Sequence, residues 1–267
     1  MKQLIHPSAC ISSSARLGDG VSVGPFAIIE DDVVIGENSS LSGHVFIGRG
    51  TRMGARNRIF TGAAIGHESQ SKSASSHSSF VEIGNGNTFR EFVTIHAGTS
   101  LQTKTSIGDN NLLMTSCHVA HDCVLGNQIV MSSAVLLAGH VSVEDHAVLG
   151  GGSGVHQFCR IGAYAMLGGH ALALKDVPPF MLVGANDCHI GSVNLVGLRR
   201  AGFSERDKSE IKKCYCLLYL EGLSLEEAVQ EIKRLPGSAS RRILRFVEES
   251  ERGLMKHRGL KETRLAS

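Results

Sequence analysis

The chain has 267 residues, 42% of them hydrophobic and 19% charged, with a formal net charge of +2. It is long enough for one large domain or a large and a small one, and too mildly basic to imply nucleic acid by itself. Gly at 31 residues, no Trp and only 5% aromatic residues exclude an aromatic-rich core and point to many tight turns. The N-terminus MKQLIHPSAC has no apolar signal-like region, and no run approaches the ~18 apolar residues of a membrane helix. Seven scattered cysteines form no CxxC pair, so the expected setting is reduced and cytoplasmic.

From Ile5 onward every sixth residue is aliphatic or Met: Ile5, Ile11, Leu17, Val23 and so on to Ile65. Ser71 and His77 break the series inside a Ser-rich stretch. It resumes in the same phase at Ile83 and runs through Phe89, Ile95, Leu101 and Ile107 to Leu167. Period six fits neither a helix nor a two-sided strand. It fits a parallel β-helix, in which each segment is one flat face and three faces make a coil. Glycines often follow the aliphatic residue, as at Gly24, Gly36, Gly84, Gly108 and Gly126, and are expected at the corners, where positive φ costs them little.

Two polar segments, residues 67–80 and 97–106, read as loops leaving the coil, either as surface decoration or as the rim of a cleft. After Leu167 the repeat weakens, and DVPPF (176–180) is expected to end the regular coils, with a loop over 181–194. Helical punctuation follows. Ser204 with Asp207 and Ser224 with Glu227 read as capping boxes, Gly222 as a stop, Pro236-Gly237 as a break, and 241–251 as a further helix. The expected organisation is a β-helix over 1–190 and a small helical domain over 191–267.

The stretch 113–158 carries the candidate chemistry. Residues 18 apart stack on one face, about 4.8 Å from each other, which places His121 beneath Gly139, Asp122 beneath His140, Ala138 beneath His156 and Gly139 beneath Gln157. His121 is an apt general base at neutral pH. Asp122 is suited to orient or electrostatically support a histidine. The Gly139 N–H, unshielded by a side chain, is suited to a developing oxyanion. Together these residues suit acyl transfer to a hydroxyl. Zinc needs three converging ligands; His118 and His121 sit on different faces or at a corner, and Cys117 and Cys123 occupy equivalent positions on adjacent faces, so no metal is expected.

HVAHDCVLGN (118–127), LAGHVSV (137–143), VHQFCRIG (155–162) and DVPPF resemble the acyl-carrier-protein-dependent UDP-N-acetylglucosamine 3-O-acyltransferases of lipid A biosynthesis. The resemblance extends to REFVTIHAGT (90–99) and VNLVGLRRAGFS (193–204), and so to nearly the whole chain. It implies a mainly β fold, a left-handed parallel β-helix with a small C-terminal helical domain, assembled as a homotrimer with active sites between subunits. It implies transfer of an R-3-hydroxyacyl group from the phosphopantetheine thioester of acyl carrier protein to the sugar 3-hydroxyl, with no other cofactor. His121 and Asp122 match the family's base and adjacent aspartate, and Gly139 its oxyanion glycine. His118, His140, His156 and Gln157 match residues lining the sugar and acyl cleft. Asn194 and Arg200 match nucleotide-side contacts, and Gly169 the position that gauges acyl length, where glycine leaves room for a long chain.

The first loop departs from the family pattern. It reads Gln70-Ser71-Lys72-Ser73, so Gln70 and a displaced Lys72 are its candidate sugar-nucleotide contacts, and the usual acid is missing. Val196 and Ala201 also replace charged residues. A 3-amino UDP-sugar acceptor is therefore an alternative, as is, in other classes, a zinc-dependent γ-carbonic-anhydrase-like trimer or a silent scaffold. The basic tail (Arg199, Arg200, Lys208, Lys212, Lys213, Arg241, Arg242, Arg245) is either a solvated helix face or a dock for the acidic carrier protein.

Overall fold

The computed structural model describes residues 4–72 and 79–257. The six-residue repeat forms short strands in three sheets of 11, 9 and 8 strands, each taking every third segment. Pairing within the β-helix is parallel and in register, as in His118 with Leu136 and Leu136 with Gly154. Each segment turns two side chains inward, the periodic aliphatic residue and the residue two before it. Val119 with Cys117 and Leu137 with Val135 are fully buried in this way, and each large aliphatic chain so buried contributes about 1.5–3 kcal/mol.

The corners differ from the sequence expectation in one respect. The left-handed backbone falls on the third residue after the inward aliphatic, and that residue is mostly not glycine: Phe26, Asn110, Asp122, His140 and Phe158 have φ of 57°, 57°, 60°, 59° and 64°. Their N–H groups can donate to the corner below, as His140 N does to His121 O at 3.0 Å, which offsets the strain of a left-handed residue. Glycine directly after the aliphatic has a different cause. A Cβ at Gly84 would lie 2.2 Å from Asp109 Oδ1, and one at Gly108 would lie 2.5 Å from Asn127 Oδ1. Those glycines make room for a side chain from the next coil.

Leu101 is a second correction. It is 63% exposed, because Ile83 pairs directly with Ile107 across the coil and the chain between Ile95 and Ile107 bulges outward as a loop. Both insertions are whole multiples of six residues, so the phase in sequence survives where the inward stacking does not. The two loops also share an origin. They follow the strands Ala64–His67 and Thr94–His96 of the nine-stranded sheet, and so leave from the corner that carries His121. Ser73 and His77 lie outside the described residues.

Where a loop was expected over 181–194, the strands Met181–Val183 and Ile190–Val193 form an antiparallel hairpin. Four helices follow: α1 (Leu195–Arg200), α2 (Glu205–Tyr219), α3 (Leu225–Lys233) and α4 (Ser238–Glu248). α1 was not expected, and α4 begins and ends about one turn earlier than the sequence suggested. Ser224 and Glu227 make the full capping box on α3. On α2 only half forms: Ser204 accepts from Asp207 N, while its hydroxyl donates to the Asp207 carboxylate. Residues 250–257 return to the β-helix, where the fully buried Asp176 accepts from Arg160 N at 2.8 Å and from Ser250 Oγ at 2.6 Å. Among the described residues no helix is long and apolar enough to cross a membrane.

Candidate active site

Strand His118–Val119 ends at the corner 120–123, and strand Leu136–Leu137 ends one coil above at 138–141. The stacking expected between these corners is present. A Cβ on Gly139 would lie 2.4 Å from the His121 ring and 2.6 Å from its Nε2, so glycine is what lets the imidazole lie against the backbone. The His121 side chain keeps 18% exposure, while Asp122 keeps 5%.

His121 Nδ1 lies 2.9 Å from Asp122 Oδ2. An ionised carboxylate only accepts hydrogen bonds, so the shared proton belongs to Nδ1 and the lone pair is left on Nε2, the atom facing Gly139. His140 Nε2 approaches the same carboxylate oxygen at 3.5 Å, and the Phe158 ring stacks on His140 at 4.6 Å. Burial pushes the Asp122 carboxyl up, but hydrogen bonds from Thr103, His121 and Thr99 together outweigh it and hold the carboxyl below its ordinary value.

His118 stands on the outer face of the same sheet, and its Nδ1 is 2.8 Å from the Thr94 hydroxyl. Its ring meets His96 edge-on at 5.3 Å. Burial, with His96 and His121 nearby, pushes the His118 imidazole below its usual value, which favours its neutral form. His96 Nδ1 in turn lies 2.7 Å from Glu68 O at the start of the first loop. His156 and Gln157 are exposed one coil above Gly139, and Arg252 Nη2 of the returning tail is 3.3 Å from His156 Nδ1.

Other candidates lie apart from this cluster. Asn194 is buried, the residue only 4% exposed; its side chain caps α1 by accepting from Gly197 N at 3.0 Å and donates to Tyr164 O at 2.9 Å. It is engaged in holding the first helix on the β-helix. Arg200, Gln70 and Lys72 are exposed. A Cβ on Gly169 would meet only Gly151 O at 3.5 Å, so the position is open.

For a metal, His121, Asp122 and His140 present ligand atoms all within 4.8 Å of one another, a triple the spacing argument did not consider. Asp122 Oδ2 already accepts from His121 there. Cys117 and Cys123 are directed elsewhere, donating to Ser132 O and Ala138 O at 3.0 and 3.2 Å.

Thr99 and Thr103 were missed by sequence reasoning. Stacking arithmetic holds only where no residues are inserted, and both lie in the second loop.

Two family models match the chain: one described as Udp N-acetylglucosamine O-acyltransferase, Domain 2, over 176–255, and one as bacterial transferase hexapeptide (six repeats) over 14–49. An acyl-[acyl-carrier-protein]–UDP-N-acetylglucosamine O-acyltransferase from Paraburkholderia phymatum is 46% identical over 260 residues, covering 94% of this chain and 99% of the relative. The protein of that name from Stenotrophomonas maltophilia is 48% identical over 256 residues, covering 94% and 97%. Among solved structures, the Francisella novicida UDP-N-acetylglucosamine acyltransferase superposes with a TM-score of 0.93 at 38% identity, covering 96% of this chain and 95% of that one. The Arabidopsis enzyme superposes with a TM-score of 0.84 at 33% identity, covering 95% and 100%.

Proposed function

The chain belongs to the acyl-[acyl-carrier-protein]–UDP-N-acetylglucosamine O-acyltransferase family, and on that premise we propose that it carries out the first acyl transfer of lipid A biosynthesis. The donor is an R-3-hydroxyacyl thioester on the phosphopantetheine of acyl carrier protein, and the acceptor is the 3-hydroxyl of UDP-N-acetylglucosamine. No further cofactor enters the reaction.

The observation that carries this reading is the His121–Asp122 pair against Gly139. With Nδ1 donating to Asp122, the Nε2 lone pair accepts the proton of the sugar hydroxyl. The hydroxyl oxygen then attacks the thioester carbon. The negative charge that develops on the thioester oxygen meets the Gly139 N–H, which donates no hydrogen bond within the described residues. Collapse of the tetrahedral species expels the pantetheine thiolate, and the imidazolium returns the proton to that sulfur. Asp122 stays ionised throughout and stabilises the imidazolium.

The open position at Gly169 supports a long 3-hydroxyacyl chain. Exposed Ile28, Leu136 and Leu172, at 45%, 54% and 44%, lie on the outer face of the nine-stranded sheet that also bears His118, and support a homotrimer in which a neighbouring subunit covers that face. His118, His140, His156 and Gln157 then line the cleft for sugar and acyl chain. Gln70, Lys72 and Arg200 remain available to the sugar nucleotide. For the carrier protein, Lys212 and Lys213 are exposed on α2, whereas Lys208 is buried and paired with Glu205.

Removing the base tests the mechanism. His121→Ala should fold and assemble like the parent while kcat falls by about 10²–10⁴; near-parental turnover would overturn it. Mild-base treatment of the product separates the two acceptors, since an ester is cleaved and the amide of a 3-amino sugar survives.

A further inference from the structure

We propose that Thr99, on the second loop, is a positioning residue of the reaction, holding the Asp122 carboxylate in the orientation that aims His121. The inference rests on the acyl-transfer reading above, and extends the working site from two coils to an inserted loop.

Asp122 Oδ2 is shared: it takes His121 Nδ1 at 2.9 Å, His140 Nε2 at 3.5 Å and the Thr99 hydroxyl at 3.0 Å. Oδ1 takes the Thr99 backbone N–H at 3.2 Å. One residue therefore donates to both oxygens of the carboxylate, which fixes its rotation about the Cβ–Cγ bond as a single donor does not. The loop is also pressed against the acid. A Cβ on Gly98 would lie 2.6 Å from Asp122 Oδ1, 2.6 Å from Ser79 Oγ and 2.8 Å from the Thr103 carbonyl carbon. The Ser79 hydroxyl, at the far end of the first loop, donates to Thr103 O. Both insertions thus meet beside the carboxylate.

The titratable groups facing Asp122 are His121, His140 and the neighbouring buried Cys123, whose thiol burial pushes up to about 12. Cys123 is thus a neutral thiol, and donors that do not titrate, those of Thr99 and Thr103, supply the rest of the support for the charge. Deprived of the Thr99 hydroxyl, the carboxylate keeps the Thr99 N–H on Oδ1 and the support of Thr103, but its Oδ2 is left to the two histidines and its rotation is held less firmly. The carboxylate then draws more strongly on the His121 ring, which spends less time aimed at the acceptor hydroxyl.

The test uses Thr99→Val, which keeps the N–H and the volume, and Thr99→Ser, which restores the hydroxyl. In full-length protein, kcat of Thr99→Val should fall about tenfold, the scale of one hydrogen bond to a charged group, with KM changed less than about twofold. The acidic limb of its pH–kcat profile should move to higher pH, and Thr99→Ser should restore both. Nitrogen-15 NMR of labelled histidine, recorded without substrate, should show His121 in wild type with its proton on Nδ1, and in Thr99→Val a raised titration midpoint. Unchanged kcat, pH profile and His121 titration in Thr99→Val would overturn the proposal, as would a kcat loss that Thr99→Ser fails to restore. Should wild type make no acyl product while the His121 titration still moves in Thr99→Val, the positioning role stands and the acyl-transfer reading falls.

Discussion

At the corner that follows the eight-stranded sheet, four successive N–H groups two residues beyond the inward aliphatic are each met by a side chain from the next coil. Ala55 N donates to Asn85 Oδ1 at 2.9 Å, Asn85 N to Asp109 Oδ1 at 2.6 Å, Asp109 N to Asn127 Oδ1 at 2.7 Å and Asn127 N to Asp145 Oδ1 at 2.7 Å. Behind this ladder runs a buried one, in which Asn87 N donates to Asn57 Oδ1 and Asn111 N to Asn87 Oδ1. At the corner that follows the nine-stranded sheet the equivalent residues are His121, Gly139 and Gln157, and the Gly139 N–H donates to nothing among the described residues. The backbone plan is the same at both. One corner satisfies these four donors internally and gains stability, since an unmet buried donor costs about 1–3 kcal/mol; the other leaves the Gly139 N–H open, as the proposed contact with a reacting oxygen requires.

Gly139→Ala tests that contrast with the largest effect. The added Cβ collides with the His121 ring, a side chain able to swing aside, so the fold should survive while the proposed base is displaced. A misplacement of about 1 Å costs on the order of 10²-fold, which should appear in kcat with the denaturation midpoint little changed. The glycine-to-alanine change to set beside it at the other corner, one position earlier in the repeat, is Gly108→Ala, whose Cβ would lie 2.5 Å from Asn127 Oδ1 and 2.6 Å from Gly126 O. Backbone cannot swing, so urea unfolding should show a loss of about 1–3 kcal/mol, with turnover per folded molecule preserved. If the two variants lost activity and stability alike, the division of labour between the corners would be wrong.

The repeat made the β-helix legible, because inward side chains must recur every six residues on a coil of three flat faces. The same spacing placed His121 under Gly139 and Asp122 under His140, within the uninterrupted run of coils. Legibility stopped at the insertions. Leu101 kept the phase and still faces outward, since phase records chain length and not direction, and Thr99 reached Asp122 only through a loop whose path no spacing rule gives. The corner glycines were misread for a related reason. Their role is close approach to a side chain in the next coil, which depends on tertiary stacking, whereas positive φ is a local property. Asn194 was picked out for its segment; its capping of α1 depended on a helix the sequence pattern had not marked.

The smallest effect concerns the outer face beside the open corner, where His118 carries a proton-linked contribution that the polar ladder, made of side chains that do not titrate near neutrality, lacks. Burial, then His96 and His121, hold the His118 imidazole below its ordinary value, so as pH falls the unfolded chain takes up this proton before the folded one. The stability this group contributes is complete above about pH 6.5 and is lost as pH falls from there through the lower folded value. One proton sets the ceiling of the slope at about 1.4 kcal/mol per pH unit. His118→Gln, which keeps a polar partner for the Thr94 hydroxyl, should flatten that part of the stability curve in urea titrations between pH 5 and 7.5. Asn111→Asp, which puts a carboxylate in the buried ladder, should instead add a slope in the opposite sense, with stability rising as pH falls and the buried acid becomes neutral. A His118→Gln curve as steep as the parent's would mean that the pH response arises elsewhere, and the open corner would then differ from the closed one only in its unmet donor.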